Sequence, residues 1–429
     1  MFKSSILIIG FGESGKWAYN LALKLGYMPL IFDDKFVKIE NCWLDYSCLD
    51  FAVVSPGVPP EHDILKKLRE HGVAIISEIE FCYLVREEKS PIIGVTGTNG
   101  KTTVTEMIAS VMGSRAIVAG NIGMPWSEAV VKKENANFTL LELSSFQLDN
   151  INLFHPHIAV LTNFAPDHID YHGCYEKYID AKMNLVKNMD GRDFLIYNAD
   201  DVEVGSRVGC CANCRTLYFS EKQMNGEGIY LSSNGEVVVS LAGCERVVFR
   251  LNVNKHYEKH MILNILASAL VCVVAGIEDD FIARGILNFK PSAFRQEVVE
   301  NNLGLKIVND SKATNLGAVI MALGEHKPEV LLMGGRGKRE NYEKLFVNPS
   351  FRDLIVYGEM GDEIVATASD NNFYAVHRFK RFEDAVNFSI KLTKKGETLL
   401  FSPAGSSFDQ FSSYKERGEK FNQIVNSFR

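Results

Sequence analysis

The chain has 429 residues, 46% hydrophobic and 23% charged, a soluble globular balance with length for about two to four domains. Its 46 Lys and Arg against 53 Asp and Glu leave a formal charge of −7, which disfavours nucleic acid or an anionic membrane as a partner. Nine cysteines build no disulfide framework and fit a reducing cytoplasm.

The start, Met1–Gly15, carries one lysine and a short apolar run, a poor signal peptide. Ser5–Ile9 reads as a strand, Lys16–Leu25 as a helix, and Pro29–Phe32 and Phe51–Val54 as further strands; a helix over Ile64–His71 and a strand over Val73–Ile76 follow. The charged stretch Arg86–Ser90 is a linker. A second series begins with a strand at Ile92–Val95 and a helix over Lys101–Met112. It continues with strands at Phe138–Leu143 and Ile158–Thr162, a helix over Tyr175–Asn188 and a strand at Phe194–Tyr197. Short β-runs with Gly and Asn turns occupy Thr216–Leu251. The longest apolar run, Ile262–Ile277, falls short of the ~20 residues of a membrane span and contains Asn264 and Ser268, so His260–Gly276 reads as a buried helix. Strands at Leu305–Val308, Val330–Met333, Leu354–Tyr357 and Thr398–Phe401 alternate with helical runs. This βα alternation predicts parallel sheets in an α/β protein of three domains: a Rossmann-like N-terminal domain (1–89), a central P-loop ATPase-like domain (90–291) and a Rossmann-like C-terminal domain (292–429).

Two glycine clusters carry chemistry. Gly10-x-Gly12-x-x-Gly15 lies between a strand and a helix, with Asp33 eighteen residues after Gly15. Its glycines permit a tight turn and let a phosphate approach a helix N-terminus, so a nucleotide site is expected. Gly97-Thr98-Asn99-Gly100-Lys101-Thr102-Thr103 also links a strand to a helix. Val95 stands where the strict P-loop pattern has its first glycine, but the phosphate-cradling amides, Lys101 and a hydroxyl for Mg²⁺ at Thr102 all remain. Glu142, closing a neighbouring strand, is placed to support that metal. Taken alone, His168 reads as a structural histidine, Lys182 as a solvent-facing helix lysine, and His155 and His157, around Pro156, as structural. Cys210, Cys211 and Cys214 offer one Cys-x-x-Cys without the second pair a zinc site wants.

Further motifs join these: Asp167-His168-Ile169-Asp170-Tyr171-His172 with Ala181-Lys182, Asn309-Asp310-Ser311-Lys312-Ala313-Thr314-Asn315, Gly334-Gly335-Arg336-Gly337-Lys338, and Ser402-Pro403-Ala404-Gly405-Ser406-Ser407-Phe408-Asp409-Gln410-Phe411. In this order, over nearly the whole chain, they resemble the Mur ligases and the related folylpolyglutamate synthases. The resemblance implies a cytoplasmic, ATP-dependent acid–amino-acid ligase of peptidoglycan precursor synthesis, acting as a monomer with two Mg²⁺ ions. UDP-N-acetylmuramoyl-L-alanine would be activated as an acyl phosphate and attacked by D-glutamate. Residue by residue, it implies that Gly12, Glu13, Ser14, Gly15, Asp33, Asp34, Lys35, Ser55, Gly57 and Asn121 hold the UDP substrate. Gly97, Thr98, Asn99, Gly100, Lys101, Thr102, Thr103, Asn264, Arg295, Asp310 and Lys312 would hold ATP. Thr102 and Glu142 would ligate one Mg²⁺; His168 and a carbamylated Lys182 would ligate the second. Thr314, Lys338, Ser407, Phe408 and Tyr414 would bind D-glutamate. The expected catalytic set is Lys101, Glu142, His168, Lys182 and Lys312. Met261, Phe294, Arg336 and Lys35 stand where the family pattern often has Asn, His, an acidic residue and Arg. A sister ligase with another acceptor, a nicotinamide-dependent dehydrogenase built on the first loop and a non-catalytic ATP switch remain as alternatives.

Overall fold

The computed structural model describes residues 4–34, 45–87, 89–209, 213–252, 257–290, 293–337 and 340–428, with the backbone alone for Asp170. Lys35, Cys210, Cys211 and Lys338 therefore lie outside the described residues. The chain divides into two compact units, one of residues 1–164 and 171–289, the other of 165–170 and 290–429.

The first unit holds two sheets. Strands β1 (Ser5–Ile9), β2 (Met28–Phe32), β3 (Leu49–Val54) and β4 (Ala74–Ser77) form a parallel sheet in the order β2-β1-β3-β4. β1 is apolar at four of its five positions and wholly buried, as a central parallel strand covered on both faces must be. The second sheet contains β5 (Ile92–Thr96), β6 (Ala116–Gly120), β7 (Phe138–Glu142), β8 (Ile158–Leu161), β9 (Phe194–Asn198), β10 (Arg215–Ser220), β11 (Gly228–Leu231), β12 (Glu236–Leu241) and β13 (Cys244–Arg250). Their order is β13-β12-β11-β10-β9-β8-β5-β7-β6, parallel from β11 to β6 and antiparallel across β11-β12-β13. β5 lies between β7 and β8; the chain first builds out to β6 on one side and later to β9 and β10 on the other. The loop after β5 thus sits where the winding reverses, at the carboxyl ends of the strands, where open α/β sheets leave a crevice for ligands. One apolar core joins the two sheets, from Ile6, Ala18 and Phe81 to Trp126, Leu141 and Phe154. The apolar run near residue 270 is the helix Lys259–Val274, whose Asn264–Cys272 stretch is buried against the other face of the second sheet.

The second unit has one sheet of β14 (Glu297–Val299), β15 (Lys306–Asn309), β16 (Val330–Gly334), β17 (Asp353–Tyr357), β18 (Val376–Phe379) and β19 (Thr398–Ala404), in the order β14-β15-β19-β16-β17-β18. Only the β14 pairing is antiparallel. The first helix starts at Glu13 rather than Lys16, and β6, β14 and β18 match no expected strand; two further differences have a local cause. The helix from Tyr175 ends at Met183 and tightens into a 3₁₀ turn over Asn184–Val186, because Asn184, Lys187 and Asn188 spend their side chains on the carbonyls of Leu148, Ile151, Asn152 and Phe154. β19 runs three residues beyond Phe401, to Ala404 at φ 59°, a left-handed alanine that ends the strand beside Gly405.

Candidate active site

The loop between β5 and the helix Lys101–Met112 is shaped by two left-handed glycines. A Cβ on Gly97 (φ 146°) would collide with the Thr162 hydroxyl, and one on Gly100 (φ 84°) would lie 2.5 Å from Asn264 Oδ1. Gly100 caps the helix without a side-chain hydrogen bond, which leaves the positive dipole end of the N-terminus to a phosphate. The loop is latched from β8. The amides of Thr98 and Asn99 donate to Asn163 O (2.8 Å) and Asn163 Oδ1 (2.9 Å), while Asn163 Nδ2 and Thr162 Oγ1 donate to Asn99 O at 2.9 and 2.6 Å.

Two lysines converge on this loop. Lys101 Nζ donates to the carbonyls of Gly97 and Thr98, both at 2.8 Å, and Lys182 Nζ donates to Gly97 O at 2.7 Å. Lys182 is 1% exposed, so it is not the solvated helix lysine its neighbourhood in sequence suggests. Its ammonium lies 4.7 Å from the Tyr178 ring centroid, and the Tyr178 hydroxyl bonds Thr98 Oγ1 at 2.9 Å. Together these fix a buried cation beside the cradle.

Glu142 ends β7 opposite Val95 of β5, which carries its carboxylate to the same edge. It is 1% exposed. Asn121 Nδ2 donates to its Oε1 at 2.6 Å, the Asn121 amide donates to its carbonyl at 2.8 Å, and Oε2 has no hydrogen-bond partner among the described residues. A buried carboxylate oxygen left without a partner is costly, and a hard cation is the ligand that satisfies it. Thr102, in the first helical turn, is also buried. The donor set, one carboxylate and one hydroxyl, is of the hard-oxygen kind that fits Mg²⁺.

The first glycine cluster opens onto a cleft of about 490 Å³ lined by Gly10, Gly12, Glu13, Ser14, Asp33, Asp34, Ser55 and Gly57. A Cβ on Gly15 would strike Gly10 O, so only glycine lets the helix start this close to β1. Asp33 accepts from the Phe11 amide at 2.7 Å and Ser55 Oγ donates to Gly10 O at 2.7 Å, which sets the turn. His62, which belongs to none of the sequence motifs, also lines the cleft. Its Nδ1 accepts from the Ile64 amide (3.3 Å), leaving Nε2–H to donate to Asp34 at 3.1 Å.

In the second unit, Asp310 follows β15 and is buried. It accepts from Ser402 Oγ at 2.9 Å and the Gln296 amide at 3.2 Å, yet burial outweighs these and pushes its carboxyl up to about 7. Lys312 Nζ sits 4.1 Å from the Tyr414 ring centroid, and Ser311 Oγ donates to Tyr414 O, so Lys312 and Tyr414 are brought together. Ser407 is buried, Phe408 is 64% exposed, and Thr314 and Arg295 are half-buried. Asp167 is buried, with its Oδ2 held by Asn315 Nδ2 at 3.1 Å and its Oδ1 by the amide of His168, itself left-handed at φ 53°. Arg417 went unnoticed in the sequence. Wholly buried, it donates to Ser311 Oγ (3.0 Å), Ser311 O (2.8 Å) and Gly405 O (3.0 Å), tying the loop after β15 to the loop after β19.

A parallel α/β sheet with a Gly-Lys-Thr loop at its switch point and a metal-ready carboxylate beside it defines a nucleotide-dependent enzyme, and residues 95–272 match the Mur ligase middle domain. The chain is 34% identical to the UDP-N-acetylmuramoylalanine–D-glutamate ligase of Alkaliphilus metalliredigens, covering 89% of this chain and 84% of that one. It is 32% identical to the enzyme of the same name from Alkaliphilus oremlandii, over 100% and 99% of the two chains. The fold is similar to that of the MurF ligase of Thermotoga maritima, solved in complex with ADP, with a TM-score of 0.60 at 16% identity over 99% and 95% of the chains. The chain belongs to the UDP-N-acetylmuramoylalanine–D-glutamate ligase family of Mur ligases. Among the described residues no helix is long and apolar enough to cross a membrane.

Proposed function

We propose that this chain joins D-glutamate to UDP-N-acetylmuramoyl-L-alanine at the expense of ATP, in peptidoglycan precursor synthesis in the cytoplasm, as a single chain of three domains, 1–89, 90–291 and 292–429. The observation that carries the chemistry is the Glu142 oxygen, buried beside the Gly97–Thr103 loop and unpartnered among the described residues. The substrate carboxylate attacks the γ-phosphorus of ATP, ADP leaves, and the amine of D-glutamate displaces phosphate from the acyl phosphate with loss of a proton. Both partners of the first step are anions, so catalysis is positioning plus charge neutralisation.

The backbone amides at the helix start after Gly100 would cradle the β- and γ-phosphates. Lys101, released from the carbonyls of Gly97 and Thr98, would turn to the γ-phosphate. Mg²⁺ held by Thr102 and Glu142 would neutralise phosphate charge as it develops. Asn121 holds Glu142 from one side and would offer its remaining polar groups to the muramoyl substrate. A second ion, for which His168 is a candidate ligand, would require Lys182 as a carbamate, a change that turns its buried cation into an anionic ligand. Asn264 lies against the loop at Gly100 and would contact ATP, as would Arg295, Asp310 and Lys312. The 490 Å³ cleft, with Glu13, Ser14, Asp33, Asp34, Ser55 and Gly57, would take the UDP group. Thr314, Ser407, Phe408 and Tyr414 would face D-glutamate, and Lys35 and Lys338 keep the roles the resemblance implies.

The decisive assay measures ADP release with UDP-N-acetylmuramoyl-L-alanine and, in turn, D-Glu, L-Glu, L-Lys and diaminopimelate. Release with D-Glu alone is expected. Release with another acceptor and none with D-Glu would overturn the assignment.

A further inference from the structure

One cluster of ligand-type side chains in the first unit takes no part in the proposed chemistry. It lies at the amino-terminal ends of β8 and β9, the opposite end of the sheet from the Gly97–Gly100 loop. The His157 amide donates to Ile92 O, at the start of β5, and the Phe194 amide to His157 O. Here His155 Nε2 lies 2.6 Å from Asp193 Oδ2, and His157 Nδ1 lies 3.1 Å from Asp193 Oδ1. The Asp190 amide donates to Asp193 Oδ2 at 2.7 Å, which folds the Asp190–Asp193 turn so that a second carboxylate faces the same point. One ligand atom each from His155, Asp190 and Asp193 lie within 4.8 Å of one another, the one such grouping among the described residues.

We propose that His155, Asp190 and Asp193 bind a borderline divalent transition ion, zinc being the type case, with His157 orienting Asp193 through its other oxygen. Imidazole with carboxylates selects this class of ion over Mg²⁺, which prefers oxygen ligands and its own waters. Bond lengths of about 2.0–2.2 Å to nitrogen and oxygen set tetrahedral ligand atoms roughly 3.3–3.5 Å apart, so His155 need withdraw from Asp193 by less than about 1 Å. Its Nε2 gives up its proton in order to ligate. Asp193 is 4% exposed and fixed by the backbone, while the His155 and Asp190 side chains are 28% and 43% exposed, which leaves an entrance and room for a water as fourth ligand. Asp190 is held by the Arg192 guanidinium at 3.0 and 2.6 Å and by the Arg192 amide at 3.0 Å; the Arg192 side chain is 84% exposed, so water can take its place when an ion binds the carboxylate. The contact of His157 with the second Asp193 oxygen is the outer-shell hydrogen bond that holds a ligating carboxylate in place. Because the ion would pin the 155–157 and 190–193 segments at the far end of the strands, it stabilises the unit and leaves turnover unchanged.

The test titrates ZnCl₂ by calorimetry, and CoCl₂ by visible absorption, into the full chain in millimolar Mg²⁺, which keeps the oxygen-ligand site filled. The wild type is expected to bind one equivalent with micromolar or tighter affinity and to gain thermal stability. His155→Gln and Asp190→Asn should each weaken binding about 100-fold, and His157→Gln about ten-fold. All three should keep the ion-free melting temperature within about 2 °C of the wild type, which separates lost ligation from lost folding. Saturable wild-type binding that survives unchanged in His155→Gln and Asp190→Asn, or no saturable binding below about 100 μM, would overturn the site and leave a His–Asp ion-pair network.

Discussion

Glu142 and Lys182 are both almost completely buried beside the Gly97–Thr103 loop, Glu142 held by Asn121 with its second oxygen unpartnered among the described residues, and Lys182 on the carbonyl of Gly97. Natural proteins tolerate such groups where chemistry needs them and pay in stability. Glu142→Gln keeps the shape, and its amide can still accept from Asn121, but removes the charge that would hold Mg²⁺. Turnover should fall by at least about 100-fold while the melting temperature stays level or rises, since a buried charge with an unpartnered oxygen is gone. A steady-state assay beside a thermal scan of the same preparation checks both; a fall in both together would make Glu142 a structural residue. Lys182→Ala should also abolish turnover. If the lysine works as a carbamate, short-chain carboxylic acids at millimolar concentration should restore part of the activity, because they return a carboxylate to the vacated space; if it works as an ammonium, added amines should do so instead.

At the scale of elements, what the sequence made legible is what is local. β5, the glycine turn and the helix from Lys101 lie within twenty-one consecutive residues, and apolar run, Gly and Lys-Thr announce them in order. Glu142 was legible for the same reason, as the polar end of an apolar strand. The two outer strands of the second unit were not: β14 and β18 have only three and four residues and no buried alternation, and they form because neighbouring strands offer them an edge. Still less legible were residues whose partners are distant in sequence. Arg417 reaches Ser311 across 106 residues, and Glu80 reaches Asn152–Phe154 across 72 to 74. Glu80, on the helix Glu78–Val85, is 1% exposed and accepts three backbone amides, from Asn152 at 2.9 Å, Leu153 at 2.7 Å and Phe154 at 2.9 Å. It joins the last helix of the first sheet to the segment that leads into β8. Glu80→Ala strands these amides and should destabilise the first unit by about 3 kcal/mol in denaturant unfolding, with Glu80→Gln intermediate because its amide oxygen can serve fewer of the three. A change below about 0.5 kcal/mol for Glu80→Ala would show that water replaces the carboxylate there.

The whole molecule has two compact units with separate apolar cores. Ile6, Phe81, Leu141 and Leu270 belong to those of the first, Val308, Leu332, Phe401 and Phe421 to those of the second. A chain so divided should unfold in two calorimetric transitions rather than one. MgADP, held chiefly by the Gly97–Thr103 loop, should raise the transition of the first unit by about 2.7 kcal/mol at a hundred times its Kd. The second unit should respond instead to pH, through Asp310. Its carboxyl titrates at about 7 when folded, against an ordinary value near 4, so the folded state holds the proton more tightly than the unfolded one. Where the folded form binds more protons, stability falls as pH rises. The Asp310 contribution is therefore most favourable below about pH 4, declines between about pH 4 and pH 7, and is level above that. In the ligand-free protein Asp310→Asn, neutral throughout, should flatten this decline in the second-unit transition and leave the first-unit transition unchanged at every pH. Identical pH profiles for wild type and Asp310→Asn would mean that the carboxyl titrates in its ordinary range, its bonds from Ser402 and the Gln296 amide offsetting its burial.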